Sequence, residues 1–180
     1  MARQYFPDLI IDPPTANLTA ITATVETGLW NVPQFSPIHA YDAYRGVGKV
    51  YHLMAGGIFS TGASGTLTIT PRIGTTTGGV TLGASNAQTV VASLTNVPWF
   101  LNFVLVVRTL GAPGANSTVM GTGHFQGAGA AATAASNNTL TFGGTSATVD
   151  LTVETGIFIG WTLSVAGSVT PMWVTMQSMN

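Results

Sequence analysis

The run Val97–Leu110, VPWFLNFVLVVRTL, alternates with a period of two. Side chains on a strand point alternately to opposite faces, so Trp99, Leu101, Phe103, Leu105 and Val107 share one face. Phe100, Asn102, Val104, Val106 and Arg108 share the other. The first face is wholly apolar and belongs against a second sheet. The second is apolar with polar interruptions, which suits a neighbouring subunit or a covering loop. A membrane helix is excluded: Asn102 breaks the run, Pro98 and Arg108 close it, and it falls short of the roughly 20 residues a crossing needs.

Outward from this strand the same period recurs. Gly65–Ile73, GTLTITPRI, sends Leu67 and Ile69 inward and Thr66, Thr68 and Thr70 outward, and Pro71 places its end at an edge or bend. Lys49–Ser60, KVYHLMAGGIFS, alternates too, and its Gly56–Gly57 pair marks a bulge or a close backbone approach. Further strand patterns fall at Ile21–Trp30, Val80–Leu82, Thr89–Val91, Ser117–Gln126, Thr139–Phe142, Ala147–Val153, Gly156–Val165 and Val169–Ser178. Asn31–Gly48 reads as an irregular loop with aromatic anchors, and Gly127–Asn138 as a low-complexity loop. No stretch sustains a helical period with caps. Many short strands between Gly, Pro, Asn and Ser turns predict an all-β sandwich or barrel, most specifically a jelly roll. The tetrapeptide Val-Glu-Thr-Gly occurs at 25–28 and again at 153–156, and in a chain so rich in Thr and Gly it reads as coincidence.

Residues 1–20 are separate in character. Pro7, Pro13 and Pro14 exclude regular helix, and Tyr5, Phe6, Leu9, Ile10 and Ile11 are too apolar for a disordered tail. The expected organisation is an extended arm over 1–20, which docks on another surface, and one β-domain over 21–180.

Composition supports association. Of the 180 residues, 46% are hydrophobic and only 6% are charged, against a usual charged share of about 25%. A surface so poorly charged is weakly defended against self-association, so part of it is expected to be covered in an oligomer or larger assembly. The net charge of -1, without clustered Lys or Arg, offers no phosphate-binding face and argues against nucleic acid as a partner. Cysteine is absent, which excludes disulfides and thiolate chemistry. The opening MARQYFPDLIIDPP lacks the apolar core of a secretory leader.

No catalytic, cofactor or metal site is legible. His39, His52 and His124 lack metal-ligand spacing; His52, within a strand, is expected to be a hydrogen-bonded structural histidine. His124, in TGTGHFQG, has no carboxylate near it in sequence. Asp150 and Glu154, four apart on one expected strand, would stand roughly 13 Å apart, too far to act on one bond. Ser64 lacks the spacing of a nucleophile elbow, and Gly46-Val47-Gly48-Lys49 lacks the frame of a phosphate loop. The isolated acids do not form a calcium loop. Asn17, Asn116 and Asn137 open Asn-x-Thr triplets that matter only in a secreted eukaryotic protein.

Several motifs, in order, carry a resemblance. Gly48-Lys49-Val50, Ala55-Gly56-Gly57, GTLTITPRIGTT (65–76), Pro98-Trp99, Val107-Arg108-Thr109, TLTFGGTSATVDLT (139–152) and SVTPMWVTMQSMN (168–180) resemble small virion proteins of tailed bacteriophages. Those are TNF-like or jelly-roll subunits, commonly trimeric, that decorate the capsid or form short head projections. The resemblance implies a non-enzymatic homotrimer on the phage capsid surface, with the major capsid protein as partner and no membrane. It implies an attachment arm using Tyr5, Phe6, Leu9, Ile10 and Ile11. It also implies that Trp99, Phe100, Phe103, Phe158, Trp161 and Trp173 pack in the core or at a three-fold axis. A host-receptor or carbohydrate-binding module of the same fold is the alternative, with Trp30, Tyr41 and Tyr44 as sugar platforms.

Overall fold

The computed structural model describes residues 8–11, 20–22, 24–28, 47–74, 78–112, 117–128, 137–151 and 156–179. Among them are eleven strands and no helix: β1 Asp8–Ile11, β2 Thr27–Gly28, β3 Val50–Thr61, β4 Gly65–Ile73, β5 Val80–Thr81, β6 Gln88–Val90, β7 Leu94–Thr109, β8 Ser117–Ala128, β9 Asn137–Val149, β10 Ile157–Leu163 and β11 Gly167–Met179. They form two antiparallel sheets. The larger has the order β1-β11-β3-β7-β8-β9, and the smaller has the order β2-β10-β4-β5 with β6 also paired to β4.

The Val97–Leu110 run lies almost wholly in β7, which sits inside the larger sheet as its alternation requires. Leu101, Phe103 and Leu105 are all 0% exposed, and Trp99 and Val107 nearly so. This dry face meets the smaller sheet through aromatic rings. Trp161 of β10 lies 5.1 Å from Phe125 of β8, 6.0 Å from Trp99 of β7 and 6.1 Å from Phe59 of β3, measured between ring centroids. Farther along, Phe103 stacks on Phe142 of β9 at 5.9 Å. Each fully buried large side chain of this kind contributes about 1.5–3 kcal/mol of transfer free energy. β4 and β10 close the core from the other side with Leu67, Ile69, Ile73, Ile157, Ile159 and Leu163, all buried.

Pro71 falls inside β4, paired with Ile159 of β10. It is tolerated because the other edge of β4 has a gap there. β6 pairs with Gly65–Leu67 and β5 with Arg72–Ile73. The gap is bridged by Ser85, whose amide donates to the Ile69 carbonyl and whose Oγ accepts from the Ile69 amide, and by the Leu82 amide donating to the Pro71 carbonyl.

Four expectations need correction. Thr139–Phe142 and Ala147–Val153 are not separate strands: β9 runs unbroken from Asn137 to Val149. Gly143 and Gly144, which read as a break, instead host a bulge at φ +88° and +86°, a backbone conformation that only glycine adopts without strain. Since β9 stops at Val149, Asp150 and Glu154 do not share a strand, and Glu154 lies outside the described residues. Ile21–Trp30 is not one strand either. It comprises a single bridge from Ile21 to Val169 and the two-residue β2. β2 pairs with β10 through Gly28↔Gly160 and Thr27↔Trp161, and residues 153–155 of the second Val-Glu-Thr-Gly segment lie outside the described residues. Finally, β8 extends to Ala128 and β9 begins at Asn137, so the expected Gly127–Asn138 loop is shorter at both ends.

The outer face of the smaller sheet is polar. Thr66, Thr68 and Thr162 are half-exposed on β4 and β10, whereas Thr70, expected to face outward with them, is buried. Glu26 reaches across β10 to Arg72 of β4 in a bidentate pair, Oε1–Nε 2.7 Å and Oε2–Nη2 2.8 Å, and Nη1 of Arg72 donates to the Gly79 carbonyl and to Thr81 Oγ1. The hydrogen bond to Glu26 raises the Arg72 pKa above its ordinary value.

Candidate association surface

The other face of β7 belongs to the outer side of the larger sheet, and cross-strand register shows what accompanies it. At one end lies an apolar band in which Val106 stands between Val50 of β3 and Met120 of β8, with Met179 of β11 beyond Val50. In the middle is a polar band. Asn102 is paired with His124 of β8, and His52 of β3 with Gln177 of β11. His52 Nε2 and Asn102 Oδ1 are 2.9 Å apart, so His52 is the hydrogen-bonded histidine its strand position predicts. At the other end is an aromatic band. Trp173 of β11 lies 5.9 Å from Phe100 of β7, and Phe100 lies 6.4 Å from His124.

Two local features build the aromatic band. β11 carries a register shift between Pro171 and Trp173. One extra residue, Met172, reverses the alternation, so Trp173 points outward while Pro171 and Val174 both point into the core. On β3, Gly56 supplies the seat: a Cβ there would come within 2.6 Å of the Trp173 indole nitrogen. The Gly56–Gly57 pair is thus a close approach, with the indole of Trp173 lying against Gly56.

The face is poor in charge. Among the described residues it carries only Arg108, exposed at one end, whose Nη1 lies 3.6 Å from Met120 Sδ. Val50, Val104, Val106, Met54, Phe100, Met120 and Trp173 on this face are all half-buried in the single chain. On the β8–β9 side of the same face Thr122, Gln126, Thr139, Thr141 and Ser146 are exposed, so the apolar part lies toward β3, β7 and β11.

The six aromatic residues singled out from the sequence divide three ways. Trp99, Phe103 and Trp161 lie between the sheets, where they serve the core and cannot reach another subunit. Phe100 and Trp173 lie on the outer face just described. Phe158 lies on the outside of the smaller sheet, against Gly28. Of the arm residues, Leu9, Ile10 and Ile11 belong to β1, which pairs with β11 through Asp8↔Ser178 and Leu9↔Gln177. Tyr5 and Phe6 lie outside the described residues, as do Trp30, His39, Tyr41 and Tyr44. Sequence reasoning found the face but missed Met54, Met120 and Met179 as parts of it; the register partners of Val106 and Asn102 are what bring them in.

The chain matches no protein-family model, no curated protein and no solved structure.

Proposed function

We propose that this chain is a non-enzymatic structural protein of a tailed-phage particle, a homotrimer that decorates or cements the capsid surface through its N-terminal arm. Its partners are further copies of itself and the major capsid protein. The observation that carries the reading is the apolar part of the larger sheet's outer face, Val50, Met54, Phe100, Val104, Val106, Met120 and Trp173, with Arg108 as its one charge among the described residues. A subunit that packs this part against copies of itself would cover it.

The finer fold reading is a jelly roll, and strand pairing supports it. An eight-stranded antiparallel ribbon rolled into two sheets pairs its first strand with its eighth, second with seventh, third with sixth and fourth with fifth. With β6 and the β8–β9 hairpin set aside as additions, the pairs β1·β11, β2·β10, β3·β7 and β4·β5 follow that scheme. The TNF-like subunits that the sequence resembles associate as trimers. Three arms converging on one capsid site would gain affinity through effective concentration, so each could bind weakly.

The test is the solution mass by light scattering, followed by co-sedimentation with purified phage heads that lack the protein. A trimer that binds heads, and loses binding when residues 1–7, which precede β1, are removed, is the expected result. A monomer removes the subunit reading. A trimer that ignores heads but binds host cells or a glycan panel replaces decoration by recognition.

A further inference from the structure

We propose that the N-terminal chain is a stowed arm held in two stages. β1 is a releasable strand on the edge of β11, while Ile21, Glu26, Thr27 and Gly28 form an anchor that stays with the sandwich when β1 leaves. The use of that release rests on the attachment reading above; the release itself does not.

Register separates the two attachments. β1 pairs Ile11 with Met176 of β11, and an isolated bridge pairs Ile21 with Val169 of the same strand. β3 occupies the other edge of β11 from Gly167 to Met179, so both contacts use one edge. Yet Ile21 lies ten residues beyond Ile11, whereas Val169 lies only seven before Met176. The two contacts cannot belong to one unbroken ladder. Between them the sequence places Pro13 and Pro14, neither of which has an N–H to give. One attachment can therefore open without pulling the other apart.

The two are also held unequally. β1 is the outermost strand of the larger sheet and pairs with β11 alone. It has four residues, and its register slips between Leu9 and Ile11. Its departure leaves β11 paired with β3 along its whole length. Short edge elements of this kind open locally at a free energy far below that of global unfolding. Ile21 is held otherwise. Its amide donates to the Val169 carbonyl at 2.7 Å, its carbonyl accepts from the Val169 amide at 2.9 Å, and both side chains lie in the core. Thr27 and Gly28 pair with Trp161 and Gly160 of β10, in the other sheet. Glu26 passes Gly160 to take two hydrogen bonds from the Arg72 guanidinium. The anchor thus engages both sheets, and removing it would take Ile21 out of the core.

Reach is what release adds. Seven residues precede β1, and a chain of that length extends at most about 25 Å. Twenty precede Ile21, and they extend at most about 70 Å. Stowed, the arm meets what lies beside its own subunit; released, it meets a capsid surface beyond it.

Hydrogen exchange read by NMR on the full chain tests the release. The β1 amides should exchange at least about a hundredfold faster than those of Ile21 and Val169. Amides of β1 as slow as Ile21, or Ile21 as fast as β1, overturn the two-stage arrangement. The use of release is tested with the Leu9→Cys, Gln177→Cys double variant, co-sedimented with phage heads that lack the protein. Closing the bridge within one copy should weaken head binding at least about tenfold, and reduction should restore it. Bridged protein that binds heads as well as reduced protein overturns that use. A bridge that joins two copies overturns the stowed position of β1. Heads that ignore even the natural chain overturn instead the attachment reading, and the exchange rates then judge the release alone.

Discussion

Adjacent residues of β7 allow the two faces to be tested with one chemical change. Leu105 and Val106 differ by a single position, yet Leu105 is 0% exposed in the inter-sheet core and Val106 is half-buried on the outer face. Leu105→Lys removes a buried aliphatic side chain, worth about 2–5 kcal/mol, and leaves an unpaired charge that costs about 3 kcal/mol or more. Together these approach the whole stability of an ordinary domain, about 5–15 kcal/mol, so the variant should not fold. Val106→Lys changes the isolated subunit by only about 1 kcal/mol, because the ammonium reaches water and only strand preference and partial burial are lost. In the proposed trimer the same ammonium would be covered, next to Val50 and Met120 and on a face whose one other charge among the described residues is Arg108. A penalty of about 3 kcal/mol per subunit weakens association more than a hundredfold. Light scattering and urea unfolding on both variants decide the matter. The expected pattern is an unfolded Leu105→Lys and a folded, monomeric Val106→Lys. A Val106→Lys variant with the natural chain's mass at micromolar concentration, or one that unfolds like its neighbour, would refute the assignment of that face to subunit contact.

Other consequences are local. A Cβ at Gly121 would collide with the Phe103 ring, so Gly121→Ala should cost about 1–3 kcal/mol. Phe103→Leu, which withdraws the colliding ring edge, should make the double variant less unstable than the sum by about 1 kcal/mol in urea melts. Gly160→Ala should break the Glu26–Arg72 pair, because its Cβ would occupy the place of the Glu26 carboxylate; a loss of about 1–2 kcal/mol is expected, and none if Glu26 is already replaced by Ala. Arg72 has a raised folded pKa, so its contribution is present below its ordinary titration range and is lost only as pH rises beyond it. The penalty for Arg72→Met should therefore be the same at about pH 6 and about pH 9 when measured by thermal melting. Because Leu9 pairs with Gln177 in a chain with no cysteine, Leu9→Cys with Gln177→Cys should oxidise to a single bridge. A monomer band on a non-reducing gel places β1 on its own subunit, and a covalent dimer places it on a neighbour.

What could be read in advance follows from the range of the interactions involved. β4 was legible to the residue, because Leu67 and Ile69 against Thr66, Thr68 and Thr70 is a local period that survives in any all-β fold. The two faces of β7 were legible for the same reason. Trp173 was legible as an important aromatic but not as an outward one. Its direction depends on a bulge at Met172, and neither Pro171 nor Met172 advertises an extra residue. The division of the six aromatics likewise depended on strand order. Trp99 and Phe100 are neighbours in sequence, yet one packs on Trp161 of the opposite sheet and the other on Trp173 of its own. Gly143–Gly144 misled because two glycines signal a turn more often than a bulge inside a long strand.

The scarcity of charge takes on a more specific meaning once the faces are separated. Composition says only that some surface is poorly defended. The smaller sheet solves its exposure without charge: a row of threonine hydroxyls is water-compatible, and Glu26 and Arg72 neutralise one another over it. The larger sheet divides its outer face. Thr122, Gln126, Thr139, Thr141 and Ser146 expose polar groups on the β8–β9 side. Val50, Val104, Val106, Phe100 and Trp173 lie toward β3, β7 and β11, with Asn102 and the histidines as a polar band between the valines and the two large rings. Such a band contributes little solubility to the separate subunit, but inside a contact it restricts how two copies align, because Asn102 and the histidines must find partners or water whenever the apolar bands close over them. On the proposed trimer reading, Asn102 and the histidines would thus set the register of the contact, which the same residues scattered over the surface would not do.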